Sequence, residues 1–162
     1  MQYLKLLLIG FLFINCANKA TELEKPEEPK LIYTYEISRE LQPYVFEYMN
    51  TLEEFGIEFK KQSFIVVFDA DIMRTNLVGQ AKGMFNDDLI YVKVNPKLWS
   101  QLTVKQRKHL IFHELSHDLF NIEHTEKIKL MNDSMPSPQA SFAMNIQQEI
   151  INLMMYIRNE QS

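Results

Sequence analysis

Two histidines and a glutamate form the most reactive combination of residues in this sequence. They stand in an H-E-x-x-H pattern over residues 113–117. On a helix, residues four apart project from the same face one turn apart, so the imidazoles of His113 and His117 can reach one metal ion. Glu114 lies one position round the helix, where its carboxylate can reach a water bound to the metal. The pattern therefore predicts a catalytic Zn²⁺ site, which needs a third protein ligand.

The stretch from His113 to Met131 resembles the metzincins, zinc peptidases with the pattern H-E-x-x-H-x-x-G-x-x-H followed by a Met-turn. In that family the glycine ends the active-site helix, so that the third histidine returns to the metal. Here His124 lies one residue later and the glycine is missing, but Asn121 keeps the spacing to His124. Asparagine readily adopts the left-handed conformation that ends a helix, so we expect Asn121 to make the turn.

The resemblance implies an activity as well as a site. We expect a metallopeptidase with one Zn²⁺ per chain, which hydrolyses peptide or protein substrates with Glu114 as the general base. The implied metal ligands and Met-turn residue are His113, His117, His124 and Met131.

Three alternatives remain open at this stage. Glu149 could be the third ligand, as in zinc peptidases that combine H-E-x-x-H with a distant glutamate. The protein could instead bind a metal without hydrolysing anything, or could be an interaction domain with no metal. His109 shares the face of the other two histidines but lies about 12 Å from His117 along the axis. We therefore expect His109 to be structural or on the surface.

Composition limits the possible classes of protein. The 162 residues, 46% of them hydrophobic, are enough for one domain with one core. The net charge of −4 and the absence of a basic stripe argue against nucleic acid as a partner. With a single cysteine, the chain has no internal disulfide.

The first 15 residues predict a secretion signal. Lys5 precedes the apolar run 6–14, which is too short to span a bilayer, and Cys16 follows it. This arrangement resembles a bacterial lipoprotein signal, in which the cysteine is lipidated after cleavage. It implies an exported lipoprotein whose N-terminal lipid anchors it in a membrane, facing the periplasm or the cell exterior. The polar residues 16–30 predict a flexible tether.

Residues 31–162 predict an α+β domain of the zincin-like kind, with a small mixed sheet, an active-site helix and a C-terminal helix. Helical spacing of apolar residues starts after Ser38, a candidate N-cap, and Gly56 is a candidate stop. The apolar run 64–68 predicts a strand buried on both faces. Two further strands flank a turn-forming triplet at residues 86–88 and predict an antiparallel edge hairpin. By resemblance, the first of them would bind substrate as an edge strand. The residues of this first strand are Gln80, Ala81, Lys82, Gly83, Met84 and Phe85.

The active-site helix is predicted from its ends. Thr103 and Gln106 form a capping box before it, and it should continue to about Phe120. The prolines within 132–138 indicate a loop, which by resemblance would form one wall of the substrate pocket. From Phe142 onwards, apolar residues at helical spacing predict a closing helix.

Overall fold

The computed structural model describes residues 35–59, 63–85 and 88–161, so the predicted signal, Cys16 and the tether lie outside the described residues. The described part is α+β, with a four-stranded mixed sheet and five helices. The strands are β1 Tyr35–Ile37, β2 Ser63–Phe68, β3 Gly79–Ala81 and β4 Leu89–Val94. The helices are α1 Gln42–Glu54, α2 Pro96–Trp99, α3 Val104–Phe120, α4 Pro138–Ala143 and α5 Ile146–Glu160. No helix in the described part is long and apolar enough to cross a membrane.

The sheet has one antiparallel edge. Its order is β1-β2-β4-β3, in which β1, β2 and β4 are parallel and β3 pairs antiparallel with β4. The predicted edge strand is therefore present but shorter than expected, because it begins at Gly79 and ends at Ala81. The Lys82 N–H still donates to the Tyr91 carbonyl at 2.8 Å. Phe85, at φ 63°, lies in the left-handed region and turns the chain out of the extended conformation.

Strand β2 departs from the prediction of burial on both faces. Phe64 and Val66 are fully buried, whereas Ile65 and Val67 on the opposite face are only half-buried. Its burial therefore alternates, because only one face of the strand carries the main core.

The start of α1 also differs from the prediction. The Ser38 hydroxyl accepts a hydrogen bond from the Phe68 N–H at 3.1 Å, so it ties the end of β2 instead of capping α1. The helix begins at Gln42, and Gly56 follows its end at φ 64°. Glycine suits that conformation, as the sequence predicted.

Helix α3 lies in the core and carries the predicted site residues. Its capping box is formed, with the Gln106 N–H donating to Thr103 Oγ1 at 3.3 Å and the Thr103 N–H donating to Gln106 Oε1 at 3.0 Å. The Phe112 ring packs edge-to-face on Tyr48 of α1 at 5.0 Å, and the Tyr48 hydroxyl pairs with Ser116 Oγ at 3.1 Å. These buried contacts hold the helix in one orientation against α1.

The predicted closing helix is two helices. Phe142 belongs to the short α4 and is 83% exposed, so its expected place on a packed apolar face was wrong. The longer α5 starts after Asn145, whose side chain accepts from the Gln148 N–H, and it buries Ile150, Leu153 and Ile157.

Candidate metal centre

Three histidines bring their ring nitrogens to one point. Helical spacing places His113 and His117 on one face of α3, with their Nε2 atoms 3.0 Å apart. The Nε2 of His124 lies 3.2 Å from that of His113, and the ligand atoms of all three residues lie within 4.8 Å of one another. The three predicted ligands are therefore together and close enough to bind one metal ion.

The turn that brings His124 next to His113 and His117 depends on Asn121. This residue ends α3 in the left-handed conformation, with φ 53° and ψ 33°. Its Oδ1 also accepts a hydrogen bond from the Phe85 N–H. The prediction that Asn121 makes the turn at the end of the helix is confirmed, and its side chain adds a contact that glycine could not make.

The oxygen next to Nδ1 of each histidine determines which ring nitrogen carries the proton. Nδ1 of His113 lies 2.7 Å from the Leu130 carbonyl, and Nδ1 of His117 bonds to the Ile122 carbonyl. Nδ1 of His124 lies 3.3 Å from Asp133 Oδ1. These oxygens are acceptors, so in the neutral ring each Nδ1 carries the proton and each Nε2 presents a lone pair to the centre.

Burial keeps the two helical histidines neutral. It lowers the pKa of His113 to about 3 and also lowers the pKa of His117. Two lone pairs 3.0 Å apart cannot form a hydrogen bond to one another, whereas a shared cation would stabilise them. Nitrogen ligands at Zn–N distances of about 2.0–2.1 Å in a tetrahedron lie about 3.3 Å apart. The centre therefore fits a divalent metal ion, and imidazole suits several such ions.

Glu114 lies beside the ligands and is 7% exposed. Burial raises the pKa of its carboxyl to about 7, although a hydrogen bond from the Ala81 N–H opposes that rise. Gly79 leaves the space that this side chain occupies, because a Cβ there would lie 2.8 Å from Glu114 Oε1. A carboxyl with such a pKa can accept and return a proton near neutral pH.

A cavity of about 710 Å³ opens in front of the three histidines and Glu114. Of the six residues predicted for the substrate edge, Gln80, Ala81 and Met84 line the cavity, whereas Lys82, Gly83 and Phe85 do not. The predicted wall 132–138 contributes Asn132, Asp133 and Met135. Within residues 35–59, 63–85 and 88–161, no lysine or arginine lines the cavity.

The predicted Met-turn position is occupied by a short 3₁₀ turn, Lys129–Met131. Met131 is fully buried and does not line the cavity, and its carbonyl accepts from the Thr125 N–H at 2.9 Å. The Leu130 carbonyl of the same turn is the acceptor for His113. The turn therefore orients the first ligand through its main chain.

His109 and Glu149 lie outside the metal centre. His109 is 2% exposed, so it is not a surface residue; its ring stacks on that of His113 at 6.1 Å and contributes to the lining of the cavity. The Glu149 carboxylate lies 3.3 Å from Lys129 Nζ and accepts from Asn152 at 3.4 Å. It is not among the converging ligand atoms of the described residues, which disfavours Glu149 as the third ligand.

The sequence interpretation missed two aspartates. Asp133 contacts His124, and Asp118 accepts hydrogen bonds from the Gly83 and Tyr91 N–H groups, each at 3.0 Å. Burial raises the pKa of Asp118. Its position four residues after Glu114 was a usable signal, because the two carboxylates then share a helix face.

The chain matches no known family model, no curated protein and no solved structure.

Proposed function

We propose that this protein is a zinc-dependent metalloendopeptidase of the metzincin-like, zincin-fold type. The observation that carries the proposal is the convergence of three histidine lone pairs beside a buried glutamate, at the wall of a cavity bordered by an edge strand. Three protein ligands leave a fourth position open, which is typical of a catalytic zinc site. Met131, fully buried in the turn whose Leu130 carbonyl contacts His113, is consistent with a Met-turn.

The residues of this chain would divide the chemistry between them. Bound zinc supplies a Lewis acid that acidifies water and polarises the scissile carbonyl. Glu114 would accept the proton of the attacking water and then deliver it to the leaving amine, for which a pKa near 7 is suitable. His113, His117 and His124 would hold the metal with their Nε2 atoms. Edge strand β3 would bind the substrate main chain in extended form, through those of its outward main-chain groups that do not contact α3.

The lining of the cavity favours cleavage within a chain. A carboxypeptidase must neutralise the terminal carboxylate of its substrate, and among the described residues no lysine or arginine lines this cavity. Glu123 and Asp133 instead give the rim acidic groups. An internal peptide bond needs no partner for a terminal carboxylate, so we propose an endopeptidase.

The proposed setting follows from the N-terminal sequence. A signal over residues 1–15 and lipidation at Cys16 would place the domain outside the cytoplasm, tethered to a membrane. The substrates would then be exported or extracellular peptides and proteins, and nucleic acid is not an expected partner.

The first test is zinc content. The purified wild-type protein should contain about one zinc per chain, and His124→Ala should lose most of it. Glu149→Ala is the matched control and should keep the metal, because its carboxylate contacts Lys129 and Asn152. Full zinc in His124→Ala would contradict the three-histidine site.

The second test separates catalysis from metal binding. Glu114→Gln should keep its zinc and lose at least about 100-fold in the rate of hydrolysis of a peptide library. A Gln variant that cleaves at the wild-type rate would refute the role of Glu114. Zinc binding by a wild-type protein that cleaves no peptide would favour a metal-binding lipoprotein without hydrolytic activity.

A further inference from the structure

Edge strand β3 and the residues just beyond it lie along α3 in a regular way. Gly79 faces Leu110 and Glu114, since a Cβ there would lie 2.9 Å and 2.8 Å from their side chains. Further along, the Ala81 main chain lies close enough to Glu114 to lower the pKa of that carboxyl, and the Gly83 N–H donates to Asp118. Every second residue from Gly79 to Gly83 therefore contacts the next turn of α3.

The rise of one turn along the helix nearly equals the advance of two residues along the strand. Four helical residues rise about 6.0 Å, and two strand residues advance about 6.6 Å. A strand that runs beside a helix can therefore contact it every second residue only if helix residues four apart carry the partners. Glu114 and Asp118 are four apart, and both are carboxylates that accept main-chain N–H groups.

Asp118 also ends the pairing of the hairpin. Lys82 donates its N–H to the Tyr91 carbonyl, but the Tyr91 N–H donates to Asp118 Oδ2. A regular antiparallel pair would send that N–H back to the Lys82 carbonyl. The carboxylate of Asp118 therefore joins both arms of the hairpin to the helix that carries the metal ligands.

The contact between Gly83 and Asp118 leaves no room for a residue larger than glycine at position 83. A Cβ on Gly83 would lie 2.2 Å from both Asp118 Oδ1 and the Leu89 carbonyl oxygen. Asp118 is 3% exposed, and its Oδ1 has no hydrogen-bond partner. A buried carboxylate with one unpartnered oxygen is a costly group to retain for stability alone.

We infer that Asp118 is a positioning residue for the proposed peptidase: through Gly83 and Tyr91 it sets the place of the edge strand, and hence of a bound peptide main chain, relative to the metal ligands. This inference rests on the proposed function. It assigns Asp118 no contact with substrate or metal.

The test compares full-length variants in zinc content, amide hydrogen exchange and steady-state kinetics on a cleaved peptide. In Asp118→Ala, exchange at the Gly83 and Tyr91 amides should accelerate at least about tenfold. The zinc content should stay at the wild-type level. The KM should rise at least about tenfold, because a displaced strand binds the peptide in the wrong place.

Three further variants make the result specific. Asp118→Asn should restore near wild-type KM, because its Oδ1 can replace the accepting oxygen and its amide can donate to the nearby Leu89 carbonyl. Gly83→Ala keeps the Asp118 side chain, but its Cβ would push the strand and the carboxylate apart. It should reproduce the KM increase, so it carries the test if Asp118→Ala does not fold. Lys108→Ala is the matched control: it removes an ion pair of the same helix, on the side of Glu47 in α1. It should leave exchange at Gly83 and the KM unchanged.

The outcomes are distinguishable. Unchanged exchange at Gly83 and Tyr91 in Asp118→Ala would overturn the contact itself. Faster exchange with an unchanged KM would overturn the link to substrate binding while leaving the peptidase standing. A zinc-loaded wild type that cleaves no peptide would overturn the proposed function and this role with it.

Discussion

Replacing Asn121 tests how the third ligand is brought to the metal. Asn121 is left-handed at φ 53° and ψ 33°, and its side chain accepts from the Phe85 N–H. In Asn121→Ala, the left-handed conformation costs about 1 kcal/mol, and the lost hydrogen bond costs about 1 kcal/mol more. Asn121→Gly loses only the hydrogen bond, because glycine adopts this conformation without strain. We therefore expect losses in the free energy of unfolding of about 2 kcal/mol for the alanine variant and about 1 kcal/mol for the glycine variant.

The assay is urea unfolding of the protein in the presence of a chelator, so that metal binding does not add to stability. Trp99 is the single tryptophan and is 2% exposed, so its fluorescence reports the loss of the core. Asn50→Ala, at an exposed position in α1, is the control and should change the free energy of unfolding by less than about 0.5 kcal/mol.

The order of the two variants decides the outcome. If the glycine variant is no more stable than the alanine variant, the left-handed conformation is not what this position requires. Zinc affinity should follow the same order, because His124 lies three residues beyond the turn. A difference of about 1 kcal/mol in strain corresponds to about fivefold in affinity.

Two further predictions concern groups that touch the ligands or the general base. Asp133→Asn should weaken zinc binding about tenfold in a competition titration, because its carboxylate lies 3.3 Å from His124 Nδ1 and helps to orient that ring. Glu123→Gln removes the same charge next to His124 and should bind zinc within twofold of wild type, so equal losses in the two variants would point to net charge and not to orientation. Gly79→Ala should keep its zinc but lose at least about tenfold in hydrolysis, since the new Cβ would displace the Glu114 carboxylate from its place. Wild-type hydrolysis by this variant would indicate that Glu114 has room to move.

The sequence predicted those features that depend on local spacing. The pair His113 and His117 follows from helical periodicity, because residues four apart share a face whatever the helix packs against. The capping box at Thr103 and the left-handed Asn121 follow from the conformational preferences of single residues. The class of the fold, α+β, and the antiparallel edge beside β4 were also readable from alternating and helical patterns.

Features that depend on distant partners were not predictable in this way. Ser38 carries the side chain of an N-cap, but the Phe68 N–H, thirty residues away, takes its hydroxyl. The edge strand ends early because the Tyr91 N–H bonds to Asp118, twenty-seven residues further on, and not to the Lys82 carbonyl. In each case a group with strong local preferences found a competing partner in the folded chain.

Residue type and spacing thus determined which side chains could bind a metal, whereas only the tertiary structure decided how those side chains are oriented. The acceptors for His113 and His117 are main-chain carbonyls, which no residue type encodes. Asp118 reaches Gly83 and Tyr91 only because β3 and β4 are laid against α3 in one register. A register between a strand and a helix depends on the packing of the whole core, and it is therefore not written in any short stretch of the sequence.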